Sequence, residues 1–95
     1  MNPAPSVDSN RYYVYLLRSQ QNKSFYIGYT NKIERRLDEH NDGSVEYTCK
    51  YKPWNLIYYE SFLSLVDAKK REKALKQFGK GYSELKRRIE NSLTV

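Results

Sequence analysis

The sequence predicts a small α+β domain in which helices flank a three-stranded antiparallel sheet, with the elements in the order β-β-α-β-α-α. The chain has 95 residues, which suits a single domain. Three segments are rich in aromatic and β-branched residues, as strands are. Helix start and stop signals follow the second and third of these segments, and this mixed order is typical of the α+β class.

The three strand-like segments cover residues 11–18, 25–30 and 54–62. The first two are separated only by the polar stretch 19–24, so we expect them to form a hairpin. Apolar or aromatic side chains occupy both alternating sets of positions in the first strand. A strand of this kind is typical of a sheet that is covered on both faces.

Capping signals place the first helix between the second and third strands. Asn31 is a suitable N-cap, and the helix is expected over residues 32–41. Ile33 and Leu37 form its apolar stripe, and Gly43 lies just past its end.

Two further helices are predicted after the third strand. Ser64 is a suitable N-cap for a helix that runs to about Phe78. Gly79 and Gly81 are expected to break this helix, and the last helix is expected over residues 83–93.

The composition excludes several classes of protein. Hydrophobic residues make up 39% and charged residues 29%, which is typical of a globular domain. No apolar run approaches the roughly 20 residues that cross a bilayer, and residues 1–10 lack a signal-peptide core. The lone Cys49 cannot form a disulfide framework or a thiolate metal site. We therefore expect a flexible leader over residues 1–10, one domain over residues 11–93, no membrane partner, and a cytoplasmic or nuclear location, nucleoid-associated in a bacterial cell.

Positive charge is concentrated in one part of the chain. The formal net charge is +6, and residues 69–88 contain nine Lys or Arg against Glu72 and Glu84. Such a segment suits a polyanionic partner such as nucleic acid, although a solvated helix face would show the same pattern. An anionic membrane is disfavoured because the segment lacks a bulky apolar stripe. The candidate phosphate-binding residues are Lys69, Lys70, Lys73, Lys76, Lys80 and Arg87.

Glu72 fits its predicted helix badly. It shares a helix face with Ala68 and Leu75, which are expected to point inwards, and it is the sole acid between Asp67 and Glu84. A carboxylate in such a position is costly to desolvate unless it has a partner. The sequence leaves two kinds of partner open, a Lys or Arg at the edge of the core or a metal ion.

Arg36 and His40 form a second unusual pair. They lie four residues apart, hence on one face of the first helix, and on either side of Leu37. An Arg guanidinium suits a phosphate, and His is the side chain best placed to move protons near neutral pH. A surface pair at the edge of the core remains the alternative explanation.

The tyrosines provide a third signal. Tyr13 and Tyr15 share one face of the first strand, while Tyr26 shares a face of the second strand with Gly28. A glycine within a strand is typical of a close approach by a helix, a backbone or a ligand. Packing alone would explain any one tyrosine. Hydroxyls, an Arg–His face and an isolated carboxylate together are the set that phosphodiester hydrolysis requires.

With these residues, the sequence resembles the GIY-YIG nuclease superfamily from residue 12 to about residue 79. The first motif corresponds to Tyr-Val-Tyr at 13–15 and the second to Tyr-Ile-Gly at 26–28. The family's arginine matches Arg36, eight residues after the second-motif glycine, and its histidine matches His40. Its metal-binding glutamate falls on a helix and matches Glu72.

The resemblance is strongest to the compact branch of the superfamily, which includes the eukaryotic branched-DNA resolvase subunit and stand-alone bacterial proteins. The sequence His-Asn-Asp-Gly at 40–43, Thr48 and Pro-Trp at 53–54 are similar to that branch. Tyr13 stands where the eponymous glycine would be, a change that the compact branch tolerates. Some branches have an asparagine downstream of the glutamate, and Asn91 is too near the chain end to match it.

The resemblance implies roles for the site residues. Glu72 would bind one Mg²⁺ or Mn²⁺ ion, with water and phosphate oxygens completing its shell. Arg36 would stabilise charge on the scissile phosphate. Tyr15, aided by Tyr26, would position or deprotonate the attacking water, and His40 is the competing base. The site is expected on one face of the sheet, against the helices that carry Arg36 and Glu72.

The implied function is metal-dependent hydrolysis of DNA phosphodiester bonds in repair or recombination, with branched and damaged DNA among the candidate substrates. A protein partner that supplies substrate affinity is a further expectation. The alternatives are a non-catalytic nucleic-acid-binding or partner-binding module on the same fold, and a structural module without affinity for nucleic acid.

Overall fold

The regular elements of the domain follow the predicted order. A computed structural model describes residues 10–94. Its elements are β1 (Tyr12–Ser19), β2 (Phe25–Thr30), α1 (Ile33–Asp42), β3 (Trp54–Phe62), α2 (Leu65–Lys76) and α3 (Lys80–Arg88), with short 3₁₀ turns at Cys49–Tyr51 and Ser92–Thr94. The α+β class is therefore confirmed. Apart from Asn10, the leader predicted over residues 1–10 lies outside the described residues. Within residues 10–94, no helix combines the length and apolar character needed to cross a bilayer.

β1 is the central strand of the sheet, because the strand order is β2-β1-β3 and both pairings are antiparallel. The β1–β2 hairpin is closed by Ser19, whose buried hydroxyl oxygen accepts hydrogen bonds from two amides of the following turn. The register places Tyr15 opposite Gly28 on β2 and opposite Tyr59 on β3. A row of three residues therefore crosses the sheet at Tyr15.

The sheet is covered on both faces, as the composition of β1 predicts. The core cluster on one face contains Val14, Leu16, Ile27, Ala68, Leu75, Leu85 and Ile89. The cluster on the other face contains Tyr15, Leu17 and Trp54, with Tyr26, Leu37 and Leu56 packed against it. Helices α2 and α3 thus cover one face and α1 covers the other. The helices that carry Arg36 and Glu72 therefore do not share a sheet face, contrary to the sequence-based expectation.

The start of α1 differs slightly from the prediction, because the N-cap is Lys32 and not Asn31. The Thr30 hydroxyl oxygen accepts a hydrogen bond from the Lys32 amide at 3.1 Å, so the last residue of β2 closes the turn into the helix. At the other end, Gly43 adopts a left-handed conformation with φ 87°, as expected of a residue that ends a helix.

The last helix begins three residues earlier than Ser83, with Gly79 as its N-cap. Gly81 consequently lies inside α3 and does not break it. The chain turns at Phe78, which has a positive φ of 53°. Burial of Leu85 against the core accounts for the helical conformation of a segment that contains two glycines.

The end of α3 also falls short of the predicted residue 93, because the helix stops at Arg88. The guanidinium of Arg18 on β1 donates a hydrogen bond to the carbonyl of Leu93. This contact holds the 3₁₀ turn at residues 92–94 against the sheet. An α-helix continued to residue 93 would not place the Leu93 carbonyl beside Arg18.

Two polar contacts fix α2 to the rest of the domain. The Ser64 hydroxyl oxygen accepts from the Asp67 amide at 3.3 Å, which confirms the predicted cap. Arg71 donates through Nε and Nη2 to the carboxylate of Glu60 on β3, with Nη2 2.8 Å from Oε2. Both side chains are half-buried, so this pair anchors the middle of α2 to the edge of the sheet.

Candidate active site

Tyr15 lies at the centre of the candidate site. It is only 3% exposed, on the central strand and on the face covered by α1. Its hydroxyl oxygen is 2.9 Å from Nε2 of His40, and this buried hydrogen bond joins β1 to the last turn of α1. The tyrosine that the first motif indicates is thus bonded directly to the predicted helix histidine.

Gly28 is required by the position of the Tyr15 ring. A Cβ atom built on Gly28 would lie 2.5 Å from the Tyr15 hydroxyl oxygen and 2.7 Å from Cζ. It would also lie 3.1 Å from a ring carbon of Tyr26. The close approach that an in-strand glycine predicts is therefore made by the candidate catalytic tyrosine itself.

His40 lies between Tyr15 and Thr48 and has no exposed surface. Its Nδ1 atom is 2.7 Å from the Thr48 hydroxyl oxygen, which also lies 3.4 Å from the Val45 carbonyl. A carbonyl only accepts hydrogen bonds, so this contact favours a Thr48 hydroxyl that donates to Val45 and accepts from His40 Nδ1. Nε2 of the neutral ring then accepts the Tyr15 hydroxyl proton.

Thr48 is a site residue whose role the sequence does not reveal. It is fully buried in the segment between α1 and β3 and fixes the ring of His40. Trp54 donates from its indole nitrogen to the Thr48 carbonyl at 3.0 Å, so the segment is held from both sides. A threonine in a polar loop gives no local signal, because its function depends on a contact eight residues away.

Both partners of the buried hydrogen bond are neutral at pH 7. Burial, and to a smaller extent repulsion by the nearby Arg36, lower the pKa of His40 to about 4, against attraction from Glu39. Burial also raises the pKa of Tyr15 to about 12, although hydrogen bonding to Arg36 opposes this rise. A protonated phenol therefore donates a hydrogen bond to Nε2 of a neutral imidazole.

Arg36 lies one turn before His40 on α1 and is half-buried. Its guanidinium hydrogen-bonds toward the Tyr15 hydroxyl, and this contact is the main cause that raises the pKa of Arg36. Nη1 of Arg36 also donates to the Glu39 carboxylate at 3.1 Å. The arginine is a permanent cation between the buried hydroxyl and solvent, where an anionic group could approach it.

Tyr26 completes the aromatic surroundings of His40. The centres of these two rings are 4.9 Å apart, and the Tyr26 ring lies 6.3 Å from that of Tyr15. Tyr26 is half-buried and belongs to the edge strand β2. It therefore lies between the buried pair and the side of the domain that α2 approaches.

Glu72 reaches the site around the edge of the sheet. Its carboxylate is 18% exposed and lies 3.4 Å from Nζ of Lys76, which is itself 5.6 Å from the centre of the Tyr26 ring. The charge of Glu72 is also close enough to raise the pKa of Tyr15 slightly. Lys76 is thus the protein partner of Glu72, which matches one of the two alternatives that the sequence leaves open. The lysine is exposed and can move away from the carboxylate.

The side chains present fit a metal ion that is shared with the substrate. Among residues 10–94, no three His, Cys, Asp or Glu side chains form a cluster that could enclose an ion. Both ring nitrogens of His40 are already hydrogen-bonded, which leaves the Glu72 carboxylate as the available protein ligand. Mg²⁺ is commonly held in this way, by one or two carboxylates together with water and substrate phosphate.

The basic candidates divide into two groups. All six are exposed: Lys69, Lys70, Lys73, Lys76, Lys80 and Arg87. Lys69, Lys73 and Lys76 follow a helical spacing that puts them along one side of α2, the side of Glu72. Arg87 lines a shallow groove on α3 instead, with Glu84 and Arg88. The α2 group thus adjoins the catalytic candidates most directly.

Tyr13, the first residue of the first motif, has a packing position. It is buried, and its ring meets that of Tyr59 edge to face at 5.8 Å. It lies two residues before Tyr15 on β1 and supports Tyr59 on the neighbouring strand.

A three-stranded α+β domain with paired strand tyrosines, an Arg–His helix face and a helical glutamate is the architecture of a GIY-YIG catalytic domain. This chain belongs to the GIY-YIG family: the family model described as the GIY-YIG catalytic domain matches residues 11–90.

Related proteins are similar over most of the chain. The UPF0213 protein YazA of Bacillus subtilis is 34% identical over 80 residues, which are 83% of this chain and 80% of that protein. A UPF0213 protein of Syntrophus aciditrophicus is 39% identical over 70 residues, which are 72% and 79% of the two chains. The solution NMR structure of the UPF0213 protein BH0048 of Bacillus halodurans shares 30% identity, covers 79% of this chain and 80% of its own, and gives a TM-score of 0.49. These names specify no reaction.

Replacing Gly28 tests whether the close approach to Tyr15 is a requirement of the site. We expect Gly28→Ala to lower the free energy of unfolding by about 1–3 kcal/mol, because the buried Tyr15 ring must move away from the new methyl group. Gly81→Ala is the matched control, since its nearest new contact would be Arg71 at 3.9 Å and helix propensity favours alanine by up to about 1 kcal/mol. Chemical denaturation measures both, and equal effects would contradict the packing account.

The buried neutral His40 makes stability depend on pH. Its pKa in the folded state, about 4, is below the value of about 6.5 expected when unfolded, so protonation favours unfolding as the pH falls through this window. We expect the free energy of unfolding to drop by about 2 kcal/mol between pH 7 and pH 5. Because the chain has a single histidine, His40→Gln removes this dependence. Parallel slopes for the two proteins would show that His40 is not buried in its neutral form.

Proposed function

We propose that the protein is a DNA endonuclease that hydrolyses phosphodiester bonds with the help of Mg²⁺ or Mn²⁺. The observation that carries the proposal is the buried hydrogen-bonded chain from Tyr15 through His40 to Thr48, beside the cation of Arg36 and the carboxylate of Glu72. Membership of the GIY-YIG family supports the same reaction.

Tyr15 and His40 act as one proton acceptor in this proposal. A water molecule that attacks the phosphorus transfers its proton to the Tyr15 oxygen while the phenol proton moves to Nε2 of His40. His40 has no exposed surface and reaches the substrate only through Tyr15. The imidazolium that forms donates through Nδ1 to the Thr48 hydroxyl, and a phosphate bound to Arg36 offsets the repulsion by which that cation lowers the pKa of His40. Tyr15 and His40, which the sequence leaves as alternative bases, therefore act one after the other on the same proton-transfer path.

Arg36 and Glu72 handle the charge of the reaction. The guanidinium of Arg36 binds the scissile phosphate and stabilises the negative charge that grows on its oxygens. Glu72 would hold the divalent ion, which supplies further charge neutralisation and a more acidic water when bound. Lys76 must leave the Glu72 carboxylate for this to occur, and a single ion pair to an exposed lysine opposes that change by less than about 1 kcal/mol.

The exposed basic side of α2 binds the DNA on either side of the cleaved bond. Lys69, Lys73 and Lys76 contact phosphates without selecting a base sequence, and the α3 cations Lys80 and Arg87 extend this surface. We further propose that branched or damaged DNA is the substrate, in repair or recombination in the cytoplasm, with a protein partner that increases substrate affinity. These finer assignments follow from the family resemblance.

Two isosteric substitutions test the metal assignment. We expect Glu72→Gln to abolish cleavage with Mg²⁺ or Mn²⁺ while the free energy of unfolding changes by less than about 0.5 kcal/mol, because the lost ion pair is a single 3.4 Å contact to an exposed lysine. Glu60→Gln is the matched control. It weakens the half-buried Arg71 fork, so unfolding becomes easier by about 1–3 kcal/mol and the folded fraction still cleaves.

The measurements are denaturation curves, Mn²⁺ titration, and nicking of a panel of branched, flapped, nicked and plain duplex DNA. A Glu72→Gln protein that nicks DNA at the wild-type rate would overturn the metal assignment. A wild-type protein that binds the panel but leaves it intact with both metal ions would favour the non-catalytic nucleic-acid-binding module instead.

A further inference from the structure

A groove opens beside the candidate active site, between the first turn of α1 and the exposed side of β3. Its volume is about 410 Å³, within the roughly 300–1,000 Å³ of small-molecule sites. Tyr59 of β3 forms one wall, and Ile33 and Leu56 form an apolar part of the lining. The proton-transfer chain and the metal ligand described above do not use this groove.

The groove adjoins the site, because the two share wall residues. Ile33 and Leu56 also line the narrow crevice that contains Tyr15 and Arg36. The strand register places Tyr59 directly opposite Tyr15, one strand spacing of about 5 Å away. A group in the groove and a phosphate at Arg36 can therefore belong to a single nucleotide.

The chemistry of the groove suits a nucleobase. The side chain of Tyr59 is 53% exposed although its ring is held by an edge-to-face contact with Tyr13, so the ring has a free surface in a fixed orientation. Flat heterocycles stack on such rings irrespective of base identity. The carboxylate of Glu34 at the groove disfavours an anion there and can accept a hydrogen bond from an exocyclic amino group.

The cations at the groove are placed to hold the strand that carries such a base. Lys32 and Arg35 are both exposed and line the groove at the start of α1. They can contact phosphates that flank the bound nucleotide, while Glu34 keeps the phosphate itself out of the groove. A neutral nucleobase in the groove, with the phosphates of the same strand on either side of it, fits this pattern of charges.

We propose that this groove is a binding site for one unpaired nucleobase of the DNA strand, with Tyr59 as its stacking surface. A base inside a duplex has both faces covered by its neighbours, so only an unpaired or extruded base can stack on Tyr59. The inference rests on the proposed action on DNA and adds a requirement for an unpaired nucleotide beside the scissile phosphate.

The test is a binding experiment without divalent metal, so that it does not depend on cleavage. The probes are two DNA duplexes that contain 2-aminopurine, one with the fluorescent base paired and one with it unpaired in a single-nucleotide bulge. We expect the wild-type protein to bind the bulged duplex at least about fivefold more tightly, with a change in 2-aminopurine fluorescence on stacking.

Variants of Tyr59 locate the effect. Tyr59→Phe should keep the preference for the unpaired base, and Tyr59→Ala should remove it. Tyr59→Leu keeps an apolar side chain against Tyr13 but has no aromatic face, so it should also lose the preference for the unpaired base. This variant replaces Tyr59→Ala in the experiment if the alanine variant unfolds at the assay temperature. Tyr51→Ala is the matched control, because Tyr51 is exposed and does not line the groove.

The outcomes separate this inference from the proposed nuclease activity. Three results would overturn the base site, even if the protein nicks DNA. The first is equal affinity for the two duplexes, and the second is no binding to either duplex. The third is a preference for the bulged duplex that is unchanged in folded Tyr59→Ala and Tyr59→Leu. A preference for the bulged duplex that requires an aromatic residue at position 59 supports the base site, even if no DNA is cleaved.

Discussion

The hydrogen bond between the Tyr15 hydroxyl and His40 is the constraint on which the rest of the site depends. It joins the central strand to the end of α1 inside the protein, where neither group meets water freely. For the bond to form, Gly28 must lack a side chain, and Thr48 must fix the other ring nitrogen. Burial keeps the imidazole neutral, so one interaction determines the local packing and also holds the Tyr15 hydroxyl in the orientation that the proposed mechanism uses.

The site extends from the face under α1 to the edge of the sheet, because its two helices cover opposite faces. α1 brings Arg36 and His40 to one face, whereas α2 packs on the other and reaches the site only around β2. In the proposed mechanism the fully buried groups handle protons, and the partly exposed Arg36 and Glu72 meet the substrate. This division keeps the desolvated centre uncharged while the charged groups keep contact with water.

The sequence predicts the fold because each element has strong local signals. Strand composition, the Ser64 cap and the left-handed Gly43 are all properties of neighbouring residues. The wrong start of α3 depends on a distant contact, because Leu85 must be buried before a helix with Gly81 becomes favourable. The same difference applies to the site. Tyr15, Tyr26 and His40 come together on one sheet face, whereas Glu72 lies on a helix that covers the other face. The role of Thr48 and the pairing of Arg71 with Glu60 arise only from the folded chain.

Removal of the Tyr15 hydroxyl tests the central claim most directly. Single-turnover cleavage of DNA by Tyr15→Phe with Mg²⁺ should be slower than wild type by at least about 10²-fold, at a temperature where the variant is folded, because the proton path begins at this oxygen. Tyr58→Phe is the control, since it removes a hydroxyl that donates to Glu60 at 2.8 Å outside the site, and it should cleave at the wild-type rate. A folded Tyr15→Phe protein that cleaves as fast as wild type would contradict the account and leave the Tyr15–His40 bond with a purely structural function.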